Sequence, residues 1–323
     1  MTYDILVMGE AFVDFLPESV GPTENVNRFQ RRAGGSAINV AIGLANLDEV
    51  PLLRTRVGRD PFGKFLKDTV SEHEIPLTYF ETDATAQTSL SVVSRDTESP
   101  SDLSFTFYRH QTADTRMEPD LIPDEVLADT KWVHITSVPL GSEPSRTATL
   151  SLMRRARKQG CTVSFFPNTR PQLWSRPGQV ERDISAAIEL SDIVMGTPSE
   201  LAAAGYKYSD PSELALKLCE MGPEAVFLCI DSVRAFGYVT SEQLEGVANH
   251  DGFGVTPKHP IGSTDAFTAA VIASYMNDVM SLQKIVKSAS AVASISTMSP
   301  GAITAFSLKE TASSLFPDLP WSN

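Results

Sequence analysis

Cysteine is scarce in this chain. Cys161, Cys219 and Cys229 stand alone among 323 residues. Their number is odd and no C-x-x-C spacing occurs, which argues against a disulfide framework or a clustered zinc site. No apolar run is long enough to cross a bilayer, so no membrane partner is expected. The opening stretch MTYDILVMGEAFVDF carries Asp4 where a secretion signal carries Lys or Arg. It reads as a buried first strand, and a cytoplasmic location is expected. Basic residues are outnumbered, with 27 Lys and Arg against 40 Asp and Glu for a net charge of −13. A surface of that sign repels polyanions and argues against a nucleic-acid partner.

Several catalytic signatures are missing as well. The first strand is followed by VMGEAFVDF, without the G-x-G-x-x-G of a dinucleotide-binding turn, and no G-x-x-x-x-G-K-[ST] loop occurs. The five histidines show no metal-ligand spacing. GSTDAF does not supply the G-x-S-x-G of a serine hydrolase.

What remains is an ordinary globular composition, 42% hydrophobic and 21% charged, rich enough in apolar residues to exclude disorder. Apolar strand-like runs at 4–8, 132–135, 162–166, 192–195 and 225–230 alternate with helical patterns at 37–47, 61–73, 145–159, 211–221, 263–276 and 281–298. That alternation predicts a mainly parallel sheet covered by helices. Two regions break it. Residues 11–30 and 86–110 read as short alternating strands, as in LSVVS and LSFTFYR, and predict a small antiparallel platform standing off the main sheet. The loop at 97–102 is polar and expected to be exposed. No linker divides the chain, so one domain spanning 1–323 is expected.

Three stretches carry candidate chemistry. In RAGGSAINVAIGLANL, Gly34 and Gly35 precede a small-residue helix and allow close backbone approach to a ligand. Asn39, one turn in, either meets a ligand hydroxyl or faces solvent. In VGRDPFGKFL, Asp60 and Pro61 read as a helix start. In PKHPIGSTDAFTAAVIASY, Gly262, Ser263, Thr264 and Asp265 open a long Ala-rich helix whose first amides form an anion site. Asp265 either caps that helix or takes a proton from an attacking hydroxyl.

Together and in this order, these stretches resemble the ribokinase-like (PfkB) carbohydrate kinases, from GEAFVDFLP at the start to PGA at 300–302. The resemblance implies a three-layer α/β/α core with a mostly parallel sheet and a small β-strand lid. It implies transfer of the γ-phosphoryl of ATP to a sugar hydroxyl, with Mg²⁺. Asp265 would be the general base, and Gly262, Ser263 and Thr264 would supply the anion-hole amides. Asp14, Gly34, Gly35 and Asn39 match sugar-holding positions. GEAFVDFLP, FTFYRHQTAD and PNTRPQLW look most like fructokinases and 2-keto-3-deoxygluconate kinases. In those enzymes the arginines matching Arg109 and Arg170 reach the substrate. Read as residues alone, both suit anionic or hydroxylated targets or surface ion pairs. A homodimer through lid strands is also implied.

The sequence departs from the family on the nucleotide side. His259 replaces the Asp that opens the last motif, which argues against a monovalent-cation site. Ser263 and Thr264 replace Ala and Gly, and β-branched Thr264 stands where glycine allows unusual backbone angles. Asn168 remains of a D-x-N-x-R pattern whose Asp is here Phe166. Thr197 replaces the Asn of N-x-x-E, leaving Glu200 for the outer shell of the metal. In CIDSVRAFGYV, beginning at Cys229, Asp231 and Arg234 replace two nucleotide-loop glycines. Losses clustered on ATP handling also admit a non-catalytic sugar-binding relative, a sensor or assembly partner.

Overall fold

A computed structural model describes residues 3–95, 103–176, 178–231, 233–255, 257 and 259–298. The predicted loop at 97–102 and the PGA run at 300–302 lie outside the described residues. In chain order the first elements are β1 (Ile5–Met8), β2 (Phe12–Pro17), β3 (Phe29–Gly34), α1 (Ser36–Ala45), β4 (Leu52–Gly58), α2 (Pro61–Glu72) and β5 (Phe80–Asp83). Next come β6 (Ser89–Ser94), β7 (Ser104–Tyr108), α3 (Asp124–Ala128), β8 (Trp132–Thr136), α4 (Ser145–Gln159), β9 (Thr162–Phe166) and α5 (Gln179–Glu189). The remainder are β10 (Ile193–Gly196), α6 (Pro198–Ala203), α7 (Pro211–Cys219), β11 (Ala225–Cys229), β12 (Ala235–Val239), β13 (Gly246–His250), α8 (Ser263–Met276) and α9 (Leu282–Ser296).

The main sheet runs β13-β12-β11-β10-β9-β8-β1-β4-β5. It is parallel from β11 to β5, and β12 and β13 continue it antiparallel at one edge. Successive strand residues point to opposite faces, and the core divides accordingly. Ile5 and Val7 of β1 join one apolar cluster with α1, α8 and α9, while Leu6 and Met8 join another with α4, α5 and α7. The same split recurs in β11, with Phe227 on one side and Val226 and Leu228 on the other. Both faces are therefore covered, which explains why these strands read as continuous apolar runs rather than alternating ones. The sheet and its two helical layers form the α/β/α arrangement expected from the sequence.

Helix α8 is buried on nearly every side, from Asp265 to Ser274, because it packs between α1 and α9. Its small residues permit that. A methyl group on Gly43 of α1 would lie 2.9 Å from the Cβ of Ala269. Helix α2 starts where the sequence predicts. Asp60 accepts hydrogen bonds from the amides of Phe62 and Gly63, and its other oxygen takes the amide of Thr88.

The small sheet runs β3-β2-β6-β7. It corrects the expected antiparallel platform, because its central pair β2–β6 is parallel while β2–β3 and β6–β7 are antiparallel. Strand β2 leaves the main sheet directly after β1, and β6 enters after the main-sheet strand β5, so both run the same way. The first lid segment also extends to Gly34, beyond the expected residue 30. Strands β4 and β5, α5 and the β12–β13 edge were not picked out from the sequence. Among the described residues no helix is long and apolar enough to cross a membrane.

Candidate active site

The carboxyl ends of the central parallel strands converge on one cavity of about 580 Å³, the place where open α/β sheets bind ligands. β1 delivers Glu10, β9 delivers Asn168 and Arg170, and β10 delivers Thr197 and Glu200. The small sheet closes one side with Asp14 and Ser91, and with Phe105 and Phe107 of β7. The N-termini of α1 and α8 close another, with Gly35, Ser36, Asn39 and the run Gly262 to Asp265.

Asp265 lies in the first turn of α8 and is 6% exposed. Asn39 donates to its Oδ2 at 2.7 Å, which ties α1 to α8 across 226 residues of sequence. Among the described residues Asp265 Oδ1 has no partner. Burial pushes this carboxyl up to about 7. Hydrogen bonding from Asn39 and from the neighbouring Ser36 side chain draws it down, and the nearby Glu10 and Glu200 carboxylates raise it. An acid poised near neutrality with a free oxygen on a cavity wall can exchange a proton with a bound hydroxyl.

The backbone before Asp265 is set by glycine. Gly262 is the N-cap of α8 and adopts φ 86°, a left-handed conformation that a β-branched residue resists. Thr264 already lies inside the helix, so the feared conflict at that residue does not arise. Ser263 departs from the expected anion hole, because its amide donates to the Pro260 carbonyl at 3.2 Å.

Asp14 is placed by strand register. It sits opposite Ser91 in the β2–β6 pair, and the Ser91 hydroxyl donates to its Oδ1 at 2.7 Å. Burial lifts Asp14 to about 6, against the pull of Ser91 and Arg170. Gly34 is not on the cavity wall. A methyl group there would lie 1.9 Å from Asp14 Oδ2, so the glycine makes room for the carboxylate. Gly35, at φ 94°, brings the start of α1 against the Glu10 carbonyl.

Glu10 was overlooked at the level of sequence. Its Oε1 accepts the Ser36 amide and the Asn168 side chain, and its Oε2 accepts the Thr136 hydroxyl at 2.6 Å. It pins the N-terminus of α1 to two strand ends. The signal was an acid following an apolar strand, a position where burial requires partners. Asn168 is equally committed. Its oxygen takes the Ser137 amide and hydroxyl, and its nitrogen reaches Glu10 and Ser36. These bonds tie it to the scaffold at the cavity wall.

Other predicted residues divide. Arg170 lies on the wall, pairs with Glu200 Oε1 at 3.3 Å and stands 5.7 Å from the Phe105 ring. Thr197 and Glu200 form a capping box for α6, with Glu200 Oε2 accepting the Thr197 amide and hydroxyl. Arg109 is not on the wall of this cavity: its Nε donates to Asp114 at 2.6 Å, it lines a separate cavity, and its positive charge still acts on Glu10. Cys229 and Asp231 are also absent from the wall. Cys229 is buried at the end of β11, and Asp231 pairs with Arg234 at 2.7 Å, which neutralises the acid in the altered loop. Among the described residues no cluster of three acids, histidines or cysteines could hold a metal ion.

The fold thus sets a buried carboxylic acid beside a glycine-led helix N-terminus in one cavity, an arrangement suited to moving a proton next to an anion. The chain belongs to the pfkB family of carbohydrate kinases, whose model matches residues 2–309, and it is by class an ATP-dependent sugar kinase. A fructokinase of Klebsiella pneumoniae is 29% identical over 96% of this chain and 98% of that protein. A double-mutant fructokinase of Vibrio cholerae O395, solved with fructose, ADP and potassium, superimposes with a TM-score of 0.83 over 97% of this chain and 98% of that one, at 24% identity. A fructokinase of Xylella fastidiosa with bound ATP also gives 0.83, over 98% of each chain, at 24% identity. At that identity the two structures bear on the fold alone. These relatives lend no support to a 2-keto-3-deoxygluconate kinase or to a non-catalytic sugar binder.

The raised Asp265 has a thermodynamic consequence. A carboxyl lifted from 3.8 to about 7 stabilises the fold below pH 3.8, and that contribution is lost as pH rises through 7. Asp265→Asn removes the buried charge and leaves a partner for Asn39. We expect the variant to exceed the parent by roughly 2 kcal/mol in urea unfolding at pH 8, with the gap closing towards pH 4. A variant less stable at pH 8 would show that Asp265 is ionised without strain.

Proposed function

We propose that this protein is an ATP-dependent fructokinase in which the whole chain works as one catalytic unit. The observation that carries the reading is the free Oδ1 of buried Asp265 beside the N-terminus of α8. Fructose would occupy the space between the small sheet and α1, with hydroxyls held by Asp14, Asn39 and Arg170. Phe105 and Phe107 would cover the apolar face of the sugar. Asp265 would take the proton of the accepting hydroxyl. The sugar oxygen then forms a bond to the γ-phosphorus as the bond to the bridging oxygen of ADP breaks, and the electron pair leaves with ADP. The amides of Gly262 and Thr264, on either side of the one committed to Pro260, would stabilise the charge in flight.

Mg²⁺ would neutralise the phosphate oxygens and would enter with ATP. Glu200 is the acidic group on that side, and its oxygens are already bonded by Thr197 and Arg170. Contact through water fits such a donor better than direct ligation. His259 in place of an acid still argues against a monovalent-cation requirement. ATP as donor is consistent with work in the cytoplasm. Strand β7 is the open edge of the small sheet and exposes Tyr108, so a second copy could pair there as a homodimer. Sedimentation as a monomer at assay concentration would remove that element.

The test is coupled ADP release with fructose, 2-keto-3-deoxygluconate and ribose as acceptors. Fructose should give the highest kcat/KM, rising with pH to a plateau above about 7. Asp265→Asn should lower kcat by about 10²- to 10⁴-fold, the range for a general base. Turnover that persists nearly intact in the variant would remove Asp265 from the chemistry.

A further inference from the structure

Back to back with the sugar cavity lies a second one of about 700 Å³ that shares none of its lining residues. Three segments divide them and contribute to both. Gln172 faces the first and Leu173 the second, Val138 the first and Gly141 the second, and β7 sends Phe107 to the first while Arg109 follows into the second.

The second cavity is cationic in a protein of net charge −13. Arg109, Arg146, Arg176 and Arg182 face Glu143 and Asp183 there. Both acids are already satisfied. Asp183 accepts from Arg146 at 2.7 Å and from the Trp174 indole at 3.2 Å, and Glu143 takes Thr147 and Arg146. Arg176 and Arg182 are exposed and form no ion pair among the described residues.

Arg109 supplies the independent observation. Its side chain is 3% exposed, Asp114 holds its Nε, and its Nη2 has no partner among the described residues. A buried guanidinium donor without an acceptor costs the desolvation of a charged group. A ligand acceptor in the cavity would remove that cost. Gln179, in the first turn of α5, adds a buried Oε1 that also lacks a partner and could take a ligand hydroxyl.

We propose that this cavity is an anion site for a phosphate monoester, separate from the site of phosphoryl transfer. Arg109, Arg176 and Arg182 line a space large enough for a phosphorylated hexose, two of them exposed and one buried with an unpartnered Nη2. Guanidinium forks match a dianionic phosphate, and a basic hollow in a protein of net charge −13 offers such a ligand local positive potential.

Calorimetric titration of the full-length chain with fructose 6-phosphate and with inorganic phosphate tests the site. Inorganic phosphate should bind with one saturable equivalent, and fructose 6-phosphate should fill the same site in addition to any binding as product in the sugar cavity. Arg176→Gln combined with Arg182→Gln, both at exposed positions outside the sugar cavity, should weaken phosphate binding by about tenfold or more. Asp14→Asn, inside the sugar cavity, should leave it unchanged. Tighter binding of the sugar phosphate identifies the ester as ligand and equal binding identifies free phosphate; either upholds the site. No saturable binding of either, or binding lost in Asp14→Asn and kept in the arginine variant, overturns it. Neither outcome depends on whether fructose is the acceptor.

Discussion

One hydrogen bond joins the two halves of the proposed chemistry. Asn39 near the start of α1 holds Asp265 near the start of α8 at 2.7 Å, and most of what surrounds that pair keeps it in register. The small residues of α8 let α1 approach closely enough for the bond. Glu10 fixes the amide at the head of α1 through Ser36, and is itself fixed by Thr136 and Asn168. Gly262 turns the chain so that Asp265 enters the helix facing the cavity. The cost of this arrangement is a buried carboxylic acid, and its consequence is an acid that titrates where a base is useful.

The electrostatics of the cavity follow from the same concentration of carboxyls. Glu10, Asp14, Glu200 and Asp265 all lie on its wall, and burial or mutual repulsion raises three of them. An acidic cavity binds a polyanion poorly unless fixed positive potential is present. Here it comes from Arg170, which pairs with Glu200 and stabilises the ionised form of Asp14, and from the two helix N-termini. Hydroxyl groups are the natural partners of such carboxylates, and the amides at the two helix N-termini are those of an anion.

Much of this was legible in the sequence. Strand β9 and helices α4 and α8 have the expected boundaries, because glycines and prolines punctuate them: Pro144 and Gly160 bound α4, Pro167 follows β9, and Gly262 opens α8. The Gly-Gly and GSTD stretches announced the two helix N-termini that meet at the cavity. Strand β2 and strand β6 pair in parallel through connections that local alternation does not encode, so the platform was read as antiparallel. The surroundings of Arg109 are not encoded in its motif, because Asp114, five residues later, holds its guanidinium only in the folded chain. Glu10 and Asn168 function through hydrogen bonds to distant strand ends, and only the folded register brings those partners together.

The most direct test is to titrate the Asp265 carboxyl by carbon-detected NMR on aspartate-labelled protein, using Asp265→Asn to assign the signal. The account predicts a midpoint near 7, well above the ordinary 3.8. A midpoint near 4 would mean that Asp265 is solvated and ionised throughout the working range, and the role given to its burial would be wrong.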